Sequence, residues 1–221
     1  MRVNACAIFD LDGTLTDSRE GIVRSLVHAL EQLDRPLPND AALERCIGPP
    51  LRQVFVDLLQ SDDGELIERA ITTYRQRYAT VGYRENRVYE GIPEALAELQ
   101  EAGLRLFIAT SKPLDYARPI ISEQGLGSYF EELYGASLDG TLSHKRDLLA
   151  KLIAEQHPQL SRSVMVGDRK YDIEGAREVG LPCLAVRWGF GDADELAAAR
   201  PAAQCDEPVE LAGTICAILG G

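Results

Sequence analysis

The sequence predicts an α/β protein: a doubly wound parallel sheet with an all-helical domain inserted after the first strand. Three observations lead there. Residues 5–9, Ala-Cys-Ala-Ile-Phe, form a continuous apolar run, the pattern of a strand buried on both faces of a parallel sheet. From Gly91 onward, short apolar strands alternate with helical segments of roughly 10–15 residues. Between these regions, from Ser18 to Thr80, the periodicity is helical and no strand pattern breaks it.

The elements follow in order. The first strand covers residues 3–9. Ser18-Arg19-Glu20-Gly21 starts a helix whose apolar positions are Ile22, Leu26, Ala29, Leu30 and Leu33. Leu37-Pro38-Asn39-Asp40 breaks it, with Asp40 expected to cap a short second helix. Ile47-Gly48-Pro49-Pro50-Leu51 reads as a rigid turn, followed by a helix through Val54, Phe55, Leu58 and Leu59 and another over 62–78. After Gly91-Ile92-Pro93 the rhythm changes: helix 94–102, closed by Gly103, then strand 104–109 and helix 114–124. Strand 133–136, helix 144–156, strand 163–166, helix 170–179 and strand 183–186 come next, with a final helix after Glu207. The expected division is a core of residues 1–15 and 88–221 and a helical insert of 16–87. Because the insert leaves at the end of the first strand, it is expected to cap that edge of the sheet. Hinges are expected near Leu15–Ser18 and Tyr83–Gly91.

Composition narrows the function classes. A chain of 221 residues is long enough for a proper core, and 45% hydrophobic with 26% charged residues is ordinary for a soluble protein. A net charge of −12 repels polyanions, so a nucleic-acid polymer is not an expected partner. Five cysteines, Cys6, Cys46, Cys183, Cys205 and Cys216, include no Cys-x-x-Cys spacing. Neither a disulfide framework nor a zinc site is expected, and a reducing cytoplasm is. The apolar run before Asp10 is too short for a signal peptide, and no stretch reaches the ~20 apolar residues of a membrane span.

The chemistry gathers at strand ends, where open α/β sheets bind ligands. The first strand runs into Asp10-Leu11-Asp12-Gly13-Thr14, and an aspartate there can form an aspartyl-phosphate. Phe107-Ile108-Ala109 runs into Thr110-Ser111-Lys112, which offers hydroxyl and ammonium donors to phosphate oxygens. Lys145 opens the helix at 144–156. Val164-Met165-Val166 ends in Gly167-Asp168, with Asp172 one helical turn later on the same side. Asp10, Asp12, Asp168 and Asp172 thus converge on one edge, where each like-charge pair at about 4 Å costs roughly 4 kcal/mol at an effective dielectric of 20. A hard divalent cation resolves that repulsion, and Mg²⁺ is the expected choice.

Taken together and in this order, these motifs resemble those of the haloacid dehalogenase superfamily, with the insert resembling its helical cap type over a Rossmann-like core. The resemblance implies that Asp10 is the nucleophile and Asp12 the acid and then the base. It implies that Thr110 and Lys145 hold phosphoryl oxygens, with Gly13, Thr14, Ser111 and Lys112 around the substrate phosphate. Mg²⁺ would be held by Asp10, the backbone carbonyl of Asp12 and Asp168, with Asp172 acting through water or by orienting Lys145.

The same resemblance trims the reactions. No lysine precedes Lys112, so the cap lysine of phosphonoacetaldehyde-type enzymes is missing. Asp12, absent from haloacid dehalogenases proper, is present. Phosphomonoester hydrolysis remains, with a phosphomutase less favoured. Gly48-Pro49-Pro50-Leu51 resembles a substrate-specificity loop, with Arg52 as its candidate substrate contact. It is similar to the bacterial branch of phosphoglycolate phosphatases and 5′-nucleotidases, and Gly167-Asp168-Arg169 with Trp188-Gly189-Phe190-Gly191 leans to the latter. The expected partner is a small phosphorylated metabolite, and the expected state a monomer or homodimer away from membranes. A phospho-acceptor signalling domain of receiver type also gathers acids, Thr and Lys around Mg²⁺. It lacks both the helical insert and the second acid.

Overall fold

The computed structural model describes residues 5–220. The opening residues 1–4, including the first two residues of the expected strand 3–9, lie outside the described part. In chain order the strands are β1 (Cys6–Phe9), β2 (Thr16–Asp17), β3 (Arg87–Val88), β4 (Arg105–Pro113), β5 (Glu132–Ala136), β6 (Ser163–Gly167), β7 (Cys183–Val186) and β8 (Ala203–Cys205). Six of them form one sheet in the order β5-β4-β1-β6-β7-β8, and every neighbouring pair is parallel. The strand order reverses at β1, with β4 paired on one side (Phe9 beside Ile108) and β6 on the other (Phe9 beside Val166). All four residues of β1 are buried, as a continuous apolar run in a parallel sheet requires.

The chain divides into two units. The first, up to Thr16 and from Val88 onward, holds the sheet with α5 (Ile92–Glu101), α6 (Leu114–Glu123), α7 (Lys145–Gln156), α8 (Lys170–Glu178), α9 (Ala193–Ala199) and α10 (Leu211–Gly220). Its main core packs Ile8, Phe107 and Met165 of the sheet against Leu148, Leu149 and Leu152 of α7, Ile173 of α8 and Leu196 of α9.

The second unit, Asp17–Arg87, is helical: α1 (Arg19–Gln32), α2 (Asp40–Glu44), α3 (Leu51–Leu59) and α4 (Gly64–Tyr78). Ile22, Leu26, Ala29 and Leu30 form the buried stripe of α1 at helical spacing. Asp63 starts α4 by accepting from the Glu65 and Leu66 amides. Phe55, Tyr74 and Tyr78 form an aromatic ladder, with the two tyrosines stacked at 5.4 Å. The chain crosses between the units at Thr16–Asp17 and Arg87–Val88, the paired strands β2 and β3.

Several local expectations are corrected. Asn39, not Asp40, caps α2, accepting from the Ala42 amide at 2.9 Å. β4 does not end at Ala109: pairing with β5 continues past Thr110 to Pro113 through a register shift, so Thr110, Ser111 and Lys112 lie within the strand. The helix α9 and the edge strand β8 were not anticipated. Among the described residues no helix is long and apolar enough to cross a membrane.

Candidate active site

At the carboxyl end of β1 the chain makes one tight turn. The Leu11 carbonyl accepts from the amides of Thr14 (3.3 Å), Leu15 (3.0 Å) and Thr16 (3.1 Å), and the Gly13 amide donates to the Thr16 carbonyl at 2.8 Å. Gly13 is required twice over. Its φ is +82°, and a Cβ there would stand 2.2 Å from Asp168 Oδ2. The turn leaves the side chains of Asp10 and Asp12 only 13% and 14% exposed.

Asp168 follows β6 and is fully buried. Its Oδ1 accepts from the Thr14 hydroxyl at 3.2 Å and its Oδ2 from the Phe190 amide at 2.8 Å. Asp172, in the first turn of α8, accepts from the Arg169 amide at 3.0 Å. Lys145, the first residue of α7, is 3% exposed at its side chain and donates to the Ala109 carbonyl at 2.7 Å. Its ammonium lies 2.9 Å from Asp10 Oδ1 and 2.8 Å from Asp172 Oδ1. Thr110 is buried on the neighbouring strand.

The acids are not at electrostatic rest. Burial pushes the Asp168 carboxyl well above the usual carboxylate range, and the negative charges of Asp172 and Asp10 push it further. Burial raises Asp172 as well, to about 6, against the opposing pull of Lys145. Burial would lower the Lys145 ammonium, but Asp10 and Asp172 outweigh it and the net shift is upward. Asp10 Oδ1 and Asp172 Oδ1 are buried without hydrogen-bonding geometry to any donor, Lys145 included. Asp10, Asp168 and Asp172 bring one carboxylate oxygen each within 4.8 Å of one another. Three converging carboxylates, with the single Lys145 ammonium set against two of them, fit a hard divalent cation.

The sequence profile of the haloacid dehalogenase-like hydrolases matches residues 7–186. The chain belongs to that family. It is 43% identical over 204 residues to a protein of Pseudomonas aeruginosa named 5′-nucleotidase, covering 92% of each chain. It is also 43% identical over 187 residues to the tyrosine-protein kinase PtkA of Mycobacterium tuberculosis, spanning 85% of this chain and 63% of that one. Among solved structures, a predicted phosphatase from Clostridium acetobutylicum superposes with a TM-score of 0.92 at 36% identity, covering 97% of this chain and 99% of that one. This haloacid dehalogenase-like chain is a phosphatase of the family.

Of the residues singled out in the sequence, Asp10, Asp12, Gly13, Thr14, Thr110, Lys112, Lys145, Asp168 and Asp172 meet at one sheet edge. Two take partners other than those expected. Lys112 Nζ lies 2.8 and 2.6 Å from the two Asp12 oxygens, so it grips the second acid instead of standing open to a phosphate. Thr14 is fully buried, and its hydroxyl serves Asp168. Ser111 is half-buried on β4. Arg52 lies in the helical unit, exposed and paired with Glu68. His144, beside Lys145, is exposed. The sequence reading named the Trp188–Gly191 segment only for its resemblance and missed both the Phe190 amide's contact with Asp168 and Glu195. The paired glycines around Phe190 were the available signal, because a Cβ at Gly189 or Gly191 would collide with Asp168.

Proposed function

We propose that this phosphatase hydrolyses small phosphate monoesters, nucleoside 5′-monophosphates foremost, through an aspartyl-phosphate on Asp10 and with bound Mg²⁺. The observation that carries this reading is the charge balance at one sheet edge. Four carboxylates, Asp10, Asp12, Asp168 and Asp172, face two ammonium groups, Lys112 and Lys145. The deficit is two positive charges, the charge of one divalent cation.

Asp10, the Asp12 backbone carbonyl and Asp168 would hold the ion, with Asp172 orienting Lys145. When bound, the cation shields Asp10 from the phosphate's negative charge. Asp10 Oδ attacks phosphorus while the ester P–O bond breaks, and Asp12, which takes up a proton from solvent before this step, gives it to the leaving alcohol oxygen. Asp12, now a carboxylate, takes a proton from water as the water oxygen attacks phosphorus. The bond to Asp10 breaks, which restores its carboxylate and yields inorganic phosphate. Thr110 and Lys145 offset the charge on the phosphoryl oxygens, and Lys112 keeps Asp12 aimed at the leaving group. Residues 47–52 of the helical unit would carry specificity, with Arg52 as the candidate base or anion contact.

The nucleotide preference is supported by the relative named 5′-nucleotidase, which matches this chain at 43% identity over almost its whole length. The test is phosphate release with Mg²⁺ from a panel of purine and pyrimidine 5′-monophosphates, phosphoglycolate, sugar phosphates and pyrophosphate, beside Asp10→Asn. Preferential release from nucleotides is expected, lost in the variant. Preference for phosphoglycolate would move the substrate assignment to that ester. Release that survives Asp10→Asn would overturn the aspartyl-phosphate.

A further inference from the structure

One segment touches the site without taking part in the reaction just described: residues 188–195, which lead from β7 into α9. Phe190 supplies the amide that holds Asp168 Oδ2 at 2.8 Å. On either side of it, a Cβ on Gly189 would stand 2.3 Å from Asp168 Cβ, and one on Gly191 would stand 2.1 Å from the Asp168 carbonyl oxygen. The loop backbone therefore lies directly against Asp168. Trp188 donates its indole N–H to the Thr14 carbonyl at 3.0 Å, and the Thr14 hydroxyl reaches back to Asp168. At the loop's far end, Glu195 accepts from Arg169 Nε at 2.8 Å, Arg169 Nη2 at 3.1 Å and the Lys170 amide at 2.9 Å. Arg169 is 6% exposed and the Glu195 side chain 17%, so this ion pair is largely shielded from water.

A buried ion pair is a poor source of net stability, because desolvation offsets most of the attraction. Its effect here is directional. Glu195 fixes the two residues that follow Asp168, while Phe190 fixes the carboxylate itself, so one loop clamps Asp168 at both ends. Groups that orient a metal ligand in this way typically change metal affinity by about 10- to 100-fold when they are removed.

We propose that the Trp188–Glu195 loop is a positioning device that sets the divalent-cation affinity of the site. Glu195 and Arg169 act through Asp168 without touching substrate. The inference rests on the metal-dependent reading above.

The test is Mn²⁺ binding to the full chain, followed by the electron paramagnetic resonance of the free ion, in the wild type, Glu195→Gln, Gly189→Ala and Leu99→Ala. Glu195→Gln keeps the shape of the side chain and removes its charge, whereas Gly189→Ala pushes on Asp168 directly. Leu99, fully buried in α5, is the control for destabilisation alone. The Kd for Mn²⁺ is expected to rise about tenfold or more in the first two variants and to stay within about twofold in Leu99→Ala at a comparably lowered Tm. Wild-type Kd in both Glu195→Gln and Gly189→Ala would overturn the proposal, as would an equal rise in Leu99→Ala. Absence of binding to the wild type would instead overturn the metal assignment beneath it.

Discussion

Replacing Lys145 with Met isolates one charge, because the aliphatic stem is kept and little cavity is opened. The ammonium stands 2.9 Å from Asp10 and 2.8 Å from Asp172, and each attraction is worth about 6 kcal/mol at an effective dielectric of about 20. Removing that ammonium from water costs several kcal/mol and cancels much of the gain. Loss of one member of a buried pair typically leaves a net cost of about 3–5 kcal/mol. Because Lys145 serves two acids, the upper end is expected. Urea unfolding followed by circular dichroism at pH 8, with a chelator present, measures it. With saturating Mg²⁺ the gap between variant and wild type should narrow, since the ion brings positive charge to the same oxygens. A gap below about 1 kcal/mol in chelator would refute the claim that Lys145 holds the acids together. A gap wider in Mg²⁺ than in chelator would refute the claim that lysine and cation share them.

Three further outcomes are expected. Lys112→Ala should lower kcat by about tenfold or more while changing KM less than about threefold, with partial recovery in Lys112→Arg; raised KM at unchanged kcat would make Lys112 a substrate ligand instead. In chelated protein the Asp172 carboxyl, held near 6 against an ordinary 3.8, favours the folded state below its unfolded pKa and loses that contribution as pH rises through about 6. About 3 kcal/mol is at stake over the whole span from pH 6 down to 3.8, of which roughly 1 kcal/mol is gained by pH 5.5; Asp168 acts in the same direction, so unfolding free energy should increase as pH is lowered from 7.5 to 5.5, and a flat or falling profile over that range contradicts the raised carboxyls. Glu85→Gln should lower Tm without altering Mn²⁺ affinity, because Glu85 binds Arg77 at 2.9 and 3.0 Å and Arg24 at 2.9 Å wholly within the helical unit; an altered affinity would show that this unit's packing reaches the acids.

What the sequence disclosed was local, and what it hid was the choice of partners. Asp10, Thr110 and Asp168 could be placed because each follows an apolar run, and in a parallel sheet all runs end on the same edge. Asp172 followed from helical spacing, whereas Lys145, which on its own reads as a solvated lysine at a helix start, was placed by the family resemblance. Lys112 was visible as a cation, but its pairing with Asp12 joins residues 100 positions apart, and only the fold decides whether an ammonium meets a carboxylate or solvent. Arg169 was noticed for its place beside Asp168, whereas its partner Glu195 lies on α9, a seven-residue helix too short and alanine-rich to give a clear period. The edge strand β8 has three residues, with exposed Gln204 at its middle, and so carried no continuous apolar run.

The order of the strands explains why these acids sit together despite their mutual repulsion. β1 is the strand at which the strand order reverses, with β4 on one side and β6 on the other, and such a switch point opens a crevice above the strand's carboxyl end. Asp10 lies at that opening, Thr110 and Lys112 come from one flank, and Asp168 from the other. Lys145 reaches in from α7 and is anchored to the Ala109 carbonyl of β4. A crevice made by topology costs no side-chain packing, but it leaves the acids in a poorly solvated place where burial raises Asp168 and Asp172. Those raised carboxyls and the crowding of Asp10, Asp168 and Asp172 beside one ammonium are two expressions of one deficit. Two lysines reduce it without removing it. Had the fold supplied two more buried cations in place of that deficit, the site would have no charge left for a divalent ion to balance, and no means of coupling an ion to phosphate chemistry.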